Sequence, residues 1–188
     1  MRLLSPAGYR TMPWKNGGGS TVELYRHGSS PEGYDWRISI ATVPGDGPFS
    51  SFPGYDRHIM AIDGEGFVLE GGPGGPIKVF PLFEARRFSG DWPIFGQVRN
   101  GPSRDFNLIA RRDLYDSRMD CLASEVNLAM TNDSGCTFLH VFSGLVSFDG
   151  TRIAPESSLL LEAGESGACQ IGGEHPRVAM CTVTPRTV

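Results

Sequence analysis

Trp36-Arg37-Ile38-Ser39-Ile40-Ala41-Thr42-Val43 alternates bulky apolar residues with polar or small ones. A period of two places Trp36, Ile38 and Ile40 on one face of an extended strand and Arg37, Ser39 and Ala41 on the other. Such a stretch predicts a half-buried β-strand. The same reading extends outward to His58–Ile62, Gly66–Glu70, Ile77–Phe80, Phe106–Ala110, Thr137–Phe142, Leu145–Phe148, Ser158–Leu161 and Val178–Val183. Turn signals separate them: Gly45-Asp46-Gly47-Pro48, Pro53-Gly54, Asp63-Gly64, Asp149-Gly150 and Ala163-Gly164-Glu165. Helical periodicity is scarce, the best candidate being a short turn near Asp113–Met119. Many short strands at regular spacing predict an all-β fold, a sandwich or a barrel.

A faint internal repeat refines that expectation. His58–Leu69 resembles Phe138–Phe148: an apolar strand, a turn at glycine (Gly64, Gly144), then a second apolar strand. A Gly-acidic turn follows in each half, Gly90-Asp91 and Gly164-Glu165, and a last apolar strand closes each, at Asn107–Ala110 and Met180–Val183. The first half carries an insertion around Gly71–Gly75. Two fused copies of one β unit are expected, residues 1–188 forming a single body with halves of about 1–112 and 113–188. No low-complexity linker separates the halves, so they are expected to share an interface. The 25 glycines and 14 prolines are scattered through the 188 residues, as a chain that turns often requires.

Composition narrows the function. The net charge is -4, with acidic and basic residues well mixed, which disfavours a nucleic-acid partner. No apolar run approaches the roughly 20 residues that cross a bilayer. The start is broken by Pro6 and Gly8 too early for a signal peptide, so a cytoplasmic location without membrane association is expected. Cys121, Cys136, Cys169 and Cys181 form no Cys-x-x-Cys pair or zinc spacing, and read as reduced thiols. His27, His58, His140 and His175 are far apart in sequence, without the His-x-His spacing of metal-binding cupins, so no metal or other cofactor is expected. No Gly-x-Ser-x-Gly elbow marks a nucleophilic serine.

Three clusters could carry chemistry. In Pro13-Trp14-Lys15-Asn16-Gly17-Gly18-Gly19-Ser20-Thr21, glycines let the backbone approach a ligand, while Lys15 and Asn16 suit a carboxylate. On composition alone a plain surface loop is the simpler reading, and Lys15 precedes the glycines, unlike a phosphate loop. In the second cluster, Gly47–His58, Arg57 shares a strand face with Ile59 and Ala61; its planar fork suits a carboxylate, or it is an exposed strand-end arginine. In the third, Ser103–Ile109, Asp105 and Asn107 share a face opposite Phe106 and Leu108, and point either into a lumen or to water. If these faces converge, Arg37, Ser39, Arg57, Asp105 and Asn107, joined by Trp14, Lys15 and Asn16, line one pocket. Three cations against one carboxylate would then favour a small anionic carboxylate.

Taken in order along the chain, these blocks resemble the HutD/Ves family. The resemblance rests on Pro13–Thr21 with Glu23, on Trp36–Ala41, on Phe49–Arg57 and on Asp105-Phe106-Asn107-Leu108, with weaker likeness at Phe142-Ser143-Gly144 and Leu159–Glu162. It implies a bicupin, two fused cupin-like (jelly-roll) barrels lacking the usual metal ligands. It also implies a regulatory protein of histidine utilisation that binds urocanate or a formyl- or formiminoglutamate-like intermediate and tempers pathway flux. The sequence leaves the HutD and Ves branches open, the latter being associated with stress or cold response. An enzyme reading stands beside it: a metal-independent cupin acting on a small carboxylic acid, with Asp105 as general base. Exposed sheet edges leave a homodimer open as well.

Overall fold

The computed structural model describes residues 1–14, 18–28 and 33–187. Strands β1 (Arg2–Leu4), β2 (Arg10–Pro13), β3 (Ser20–His27), β4 (Trp36–Val43), β5 (Gly47–Pro48), β6 (Tyr55–Asp63), β7 (Phe67–Glu70), β8 (Ile77–Val79) and β9 (Arg86–Ser89) come first. They are followed by β10 (Phe95–Val98), β11 (Ser103–Arg111), β12 (Tyr115–Leu122), β13 (Val126–Thr131), β14 (Cys136–Phe148), β15 (Thr151–Ile153), β16 (Ser158–Leu161) and β17 (Ser166–Pro185). A single 3-10 turn, Pro6–Gly8, is the only helical element among the described residues, so the protein is all-β as the alternation predicts. Among the described residues no helix is long and apolar enough to cross a membrane.

The chain separates into two compact units, Tyr9–Leu114 and Met1–Gly8 with Tyr115–Val188. The unit of residues 9–114 holds an antiparallel six-stranded sheet, β2-β3-β4-β11-β6-β9, and a four-stranded one, β5-β10-β7-β8. Ile59 and Ala61 of β6, Phe88 of β9, Phe67 and Leu69 of β7 and Val79 of β8 pack into one buried cluster that joins the two sheets. The central strands of the larger sheet are β4, β11 and β6, each flanked on both sides by hydrogen-bonded neighbours. They carry the alternating sequences from which the fold was read.

The other unit is one seven-stranded antiparallel sheet, ordered β1-β16-β14-β17-β12, with β13 added on β17 and β15 on β14. None of the three sheets closes on itself. The separate strands expected at Thr137–Phe142 and Leu145–Phe148 are one strand, β14, interrupted by register shifts between Val141 and Ser143 and between Ser143 and Leu145. Such bulges bend a strand, and Leu139 and Val141 before them share a core with Val146 and Phe148 after them. The helical turn expected near Asp113–Met119 is absent. Asp113 and Leu114 lie in the turn after β11, and Tyr115 begins β12. The cause is pairing: Tyr115–Leu122 lies against Val178–Pro185 residue by residue, and that ladder decides the backbone where local propensity is weak.

Candidate functional site

Within the unit of residues 9–114, a cavity of about 670 Å³ opens on one face of the six-stranded sheet. Its floor follows directly from strand register. Ile109 of β11 stands between Arg37 of β4 and Arg57 of β6, and Asn107 stands between Ser39 and Ile59. Asp105 stands between Ala41 and Ala61. Residues directly opposite one another in an antiparallel ladder project from the same face, so both arginines, the aspartate and the asparagine are delivered to one surface. The walls come from Trp14, from the turn after β4 and from Phe49, Ser50 and Phe52.

Trp14, Arg37, Ser39, Arg57, Asp105 and Asn107, all named from sequence, line this cavity together. Lys15 and Asn16 lie outside the described residues. Trp14 is held by its indole, which donates to Thr21 Oγ1 at 2.9 Å, and by its backbone N–H to the Gly19 carbonyl at 2.9 Å. A Cβ at position 19 would stand 2.5 Å from the Thr42 carbonyl oxygen and 2.9 Å from the Trp14 ring, so this glycine of the Gly-rich run lets the tryptophan lie against the strand.

Arg57 is 6% exposed. Its Nη1 donates to the Ser50 carbonyl at 3.2 Å and its Nη2 to Asn107 Oδ1 at 3.3 Å, while Nε is buried without a partner. Its guanidinium lies 5.0 Å from the Phe88 ring centre and 5.1 Å from that of Phe52, contacts that favour a cation. Burial pushes its pKa down to about 10, against the opposing charge of Asp105, so it stays cationic at neutral pH. Arg37 shares the Phe52 ring, at 5.7 Å, and lies over Tyr34 at 4.9 Å. Its Nε too is buried without a partner. Neither guanidinium forms an ion pair with a carboxylate among the described residues, whereas Arg87, Arg111 and Arg112 of the same unit all do.

Asp105 is 1% exposed. The Asn107 amide donates to its Oδ1, and its Oδ2 has no partner. Burial pushes its pKa up to about 7, with the Asn107 hydrogen bond and the Arg57 charge pulling the other way. Asn107 therefore bridges Arg57 and Asp105, its carbonyl oxygen facing the cation and its amide facing the acid. Asn107 lines the cavity, as one of the two sequence readings expects, and has two protein partners there. The aromatic walls were missed: Phe49 and Phe52 sit in a quoted block, but nothing in a Phe-Ser-Ser-Phe run distinguishes cavity wall from core. Tyr34 was missed too. Its buried hydroxyl has no partner, burial raises its pKa, and it sits beside Arg37 just ahead of β4, where no periodicity reports on it.

Among the described residues no cluster of three or more histidine, cysteine, aspartate or glutamate side chains could hold a metal ion. His58 and His140 are buried in separate units, and no histidine lines the cavity.

The open antiparallel sheets make this an all-β protein, and its neighbours among solved structures are of cupin-like fold. At the level of fold alone, the chain is similar to the YlbA protein of Escherichia coli, with a TM-score of 0.71 at 13% identity over 99% of this chain and 91% of that one. The chain belongs to the HutD family, whose model matches residues 6–178. It is similar to HutD from Pseudomonas fluorescens SBW25, solved in a formate condition, with 30% identity and a TM-score of 0.83 over 99% of each chain. A Pseudomonas putida 21.2 kDa protein named for the hutC 3' region is 39% identical over 122 residues, and the match spans 63% of each chain. Protein Ves of Citrobacter koseri is 35% identical over 174 residues, 88% of this chain and 82% of that protein.

Proposed function

We propose that the cavity binds a small carboxylate anion and that the protein is a ligand-responsive regulator rather than a catalyst. The observation that carries this reading is the pair of arginines on the cavity floor, which lack a carboxylate partner among the described residues. A buried cation without a counter-ion is costly unless something anionic completes it. Arg57 supplies donors in a planar fork, which suits a carboxylate, and Arg37 serves a second polar group of the same ligand. Asn107 fixes the Arg57 fork, and Trp14, Phe49 and Phe52 exclude water.

Family membership and the name of the Pseudomonas putida relative support a choice of ligand class. A histidine-degradation intermediate, urocanate or a formyl- or formiminoglutamate-like acid, would let the protein modulate flux through that pathway from the cytoplasm. The finer architecture we infer is a bicupin, two fused jelly-roll units, and its exposed sheet edges would serve a homodimer. Calorimetric titration with urocanate, N-formylglutamate and glutamate tests the site. Arg57→Ala is expected to weaken binding at least tenfold, since a charge-assisted hydrogen bond contributes about 1.5–3 kcal/mol. Unchanged affinity would remove Arg57 from the site. The position of Asp105, with a pKa near neutrality, favours one alternative, a metal-independent enzyme with Asp105 as general base. Turnover of one of these acids, lost in Asp105→Asn, would establish that reading instead.

A further inference from the structure

Asp105 is an unusual neighbour for an anion. It lies in the floor of the cavity, is almost wholly buried, and has one carboxyl oxygen engaged by Asn107 and the other engaged by nothing. The residues flanking it across the sheet are Ala41 and Ala61, which offer only hydrocarbon. A carboxylate brought against Arg57 would set a second negative charge close to this one, with no additional donor among the flanking residues to separate them. Two carboxylates sharing a site cannot both remain ionised at little cost; one of them takes a proton.

We propose that anion binding in this cavity is coupled to uptake of one proton by Asp105, whose free oxygen then donates a hydrogen bond to the bound anion. The inference rests on the reading of the cavity as a carboxylate site and adds a specificity determinant to it. Protonation gives Oδ2 a partner, removes the like-charge repulsion and leaves both arginines to the ligand. The proton comes from solvent, and no bond other than the hydrogen bond forms. Burial has already moved Asp105 to the range in which the ligand's charge decides its state. Among the described residues, the charged side chains that line the cavity with it are Arg57 on β6, Arg37 on β4 and Asp46 in the turn after β4, and Glu23 on β3 stands opposite Ser39. Asp46 is engaged by the Val98 amide at 2.8 Å. A ligand N–H donating to an ionised Asp105 is the opposite arrangement, and it would bind without proton uptake.

The test is calorimetry on the full chain with N-formylglutamate between about pH 6 and pH 9, in two buffers of different ionisation heat. The probe's own carboxyl groups stay ionised over that range. For the native sequence, uptake is expected to approach one proton above the Asp105 midpoint and to fall toward zero at the acid end. Affinity should drop about tenfold per pH unit above that midpoint. Asp105→Asn, whose amide donates as a protonated carboxyl would, should bind with less than about a twofold change over the range and take up no proton. Binding by the native protein without proton exchange overturns the proposal, whether or not the variant folds. So does uptake that persists in Asp105→Asn. Absence of binding by both proteins at every pH overturns the carboxylate reading itself, and the inference falls with it.

Discussion

The burial of Asp105 makes a prediction about stability that needs no ligand. In the unfolded chain this carboxyl titrates near 3.8; in the fold it titrates at about 7, because burial penalises the ionised form more than Asn107 and Arg57 favour it. Between those values the native state holds a proton that the unfolded state has released. Stability from this group is therefore fully present below about 3.8, declines as pH rises, and is lost once pH passes about 7. A gap of about three pKa units corresponds to on the order of 4 kcal/mol. In the Asp105→Asn variant the side chain does not titrate, and its amide carbonyl can still accept the hydrogen bond from Asn107. Urea unfolding of both proteins in steps from about pH 4 to pH 8 isolates the effect, because contributions common to both cancel in the difference. The stability of the native sequence relative to Asp105→Asn should fall by on the order of 4 kcal/mol across the series, leaving the variant the more stable protein at the alkaline end. A difference that stays flat with pH would show that Asp105 ionises in the fold as it does in water, and the account of the cavity floor would fail.

Two further substitutions separate the cavity from the scaffold. A Cβ at position 90 would stand 2.4 Å from the Phe52 carbonyl oxygen and 2.9 Å from that of Tyr55, both backbone atoms. Gly90→Ala should therefore cost about 1–3 kcal/mol, and it should also weaken carboxylate binding by displacing the segment that carries Ser50 and Phe52. Thermal unfolding and titration on one sample check both effects. Leu139→Ala empties a fully buried site in the other unit's core and should cost about 2–5 kcal/mol, with carboxylate affinity at low temperature unchanged.

How much of this was legible in the sequence depended on whether a strand has one wet face. Trp36–Val43 and Ser103–Arg111 alternate between a face of bulky apolar residues and one bearing Arg37 and Ser39, or Asp105 and Asn107, whereas Tyr55–Asp63 is apolar on both faces from Ile59 to Ile62 and carries Arg57 near its start. Period two therefore located both the strands and the side chains that meet in the cavity. Where pairing rather than periodicity decides, the sequence is silent. Twenty residues of β17 form one strand although the alternating pattern covers only Val178–Val183, because β12, β13 and β14 all pair along it. Tyr115–Leu122 looks no more extended than helical until its partner Val178–Pro185 is known. The first residues of the chain are a similar case. Arg2–Leu4 pairs with Ser158–Leu160, a contact between the two ends of the sequence that no local signal announces.

The same distinction bears on how the cavity can work. Its charged floor is built on β4, β11 and β6, the central strands of the six-stranded sheet, and Arg57 is locked by Asn107 on one side and the Ser50 carbonyl on the other. Residues on central strands cannot move far without breaking two ladders, so the charges are set in place before any ligand arrives, which limits the ordering cost of binding. The walls are different. Phe49, Ser50 and Phe52 lie on a connecting segment held by hydrogen bonds to neighbouring turns and strands, among them the Phe49 N–H to the Ile94 carbonyl at 2.9 Å, the Phe52 N–H to the Gly90 carbonyl at 2.7 Å and the Gly54 N–H to Asp91 Oδ1 at 2.7 Å. Arg112 braces those pins by donating to Asp91, to the Tyr55 carbonyl and to Ser89. Ser50 belongs to the wall and also holds Arg57, and the Phe52 ring lies against both Arg57 and Arg37, so a shift of this segment would reach the floor through a hydrogen bond and through ring contacts. A regulator needs such an element, in which occupancy of a rigid charged floor changes the position of a surface segment that a partner could read. A catalyst could use the same element to shield a reaction from water, so turnover of a small acid, lost in Asp105→Asn, is the measurement that separates the two readings.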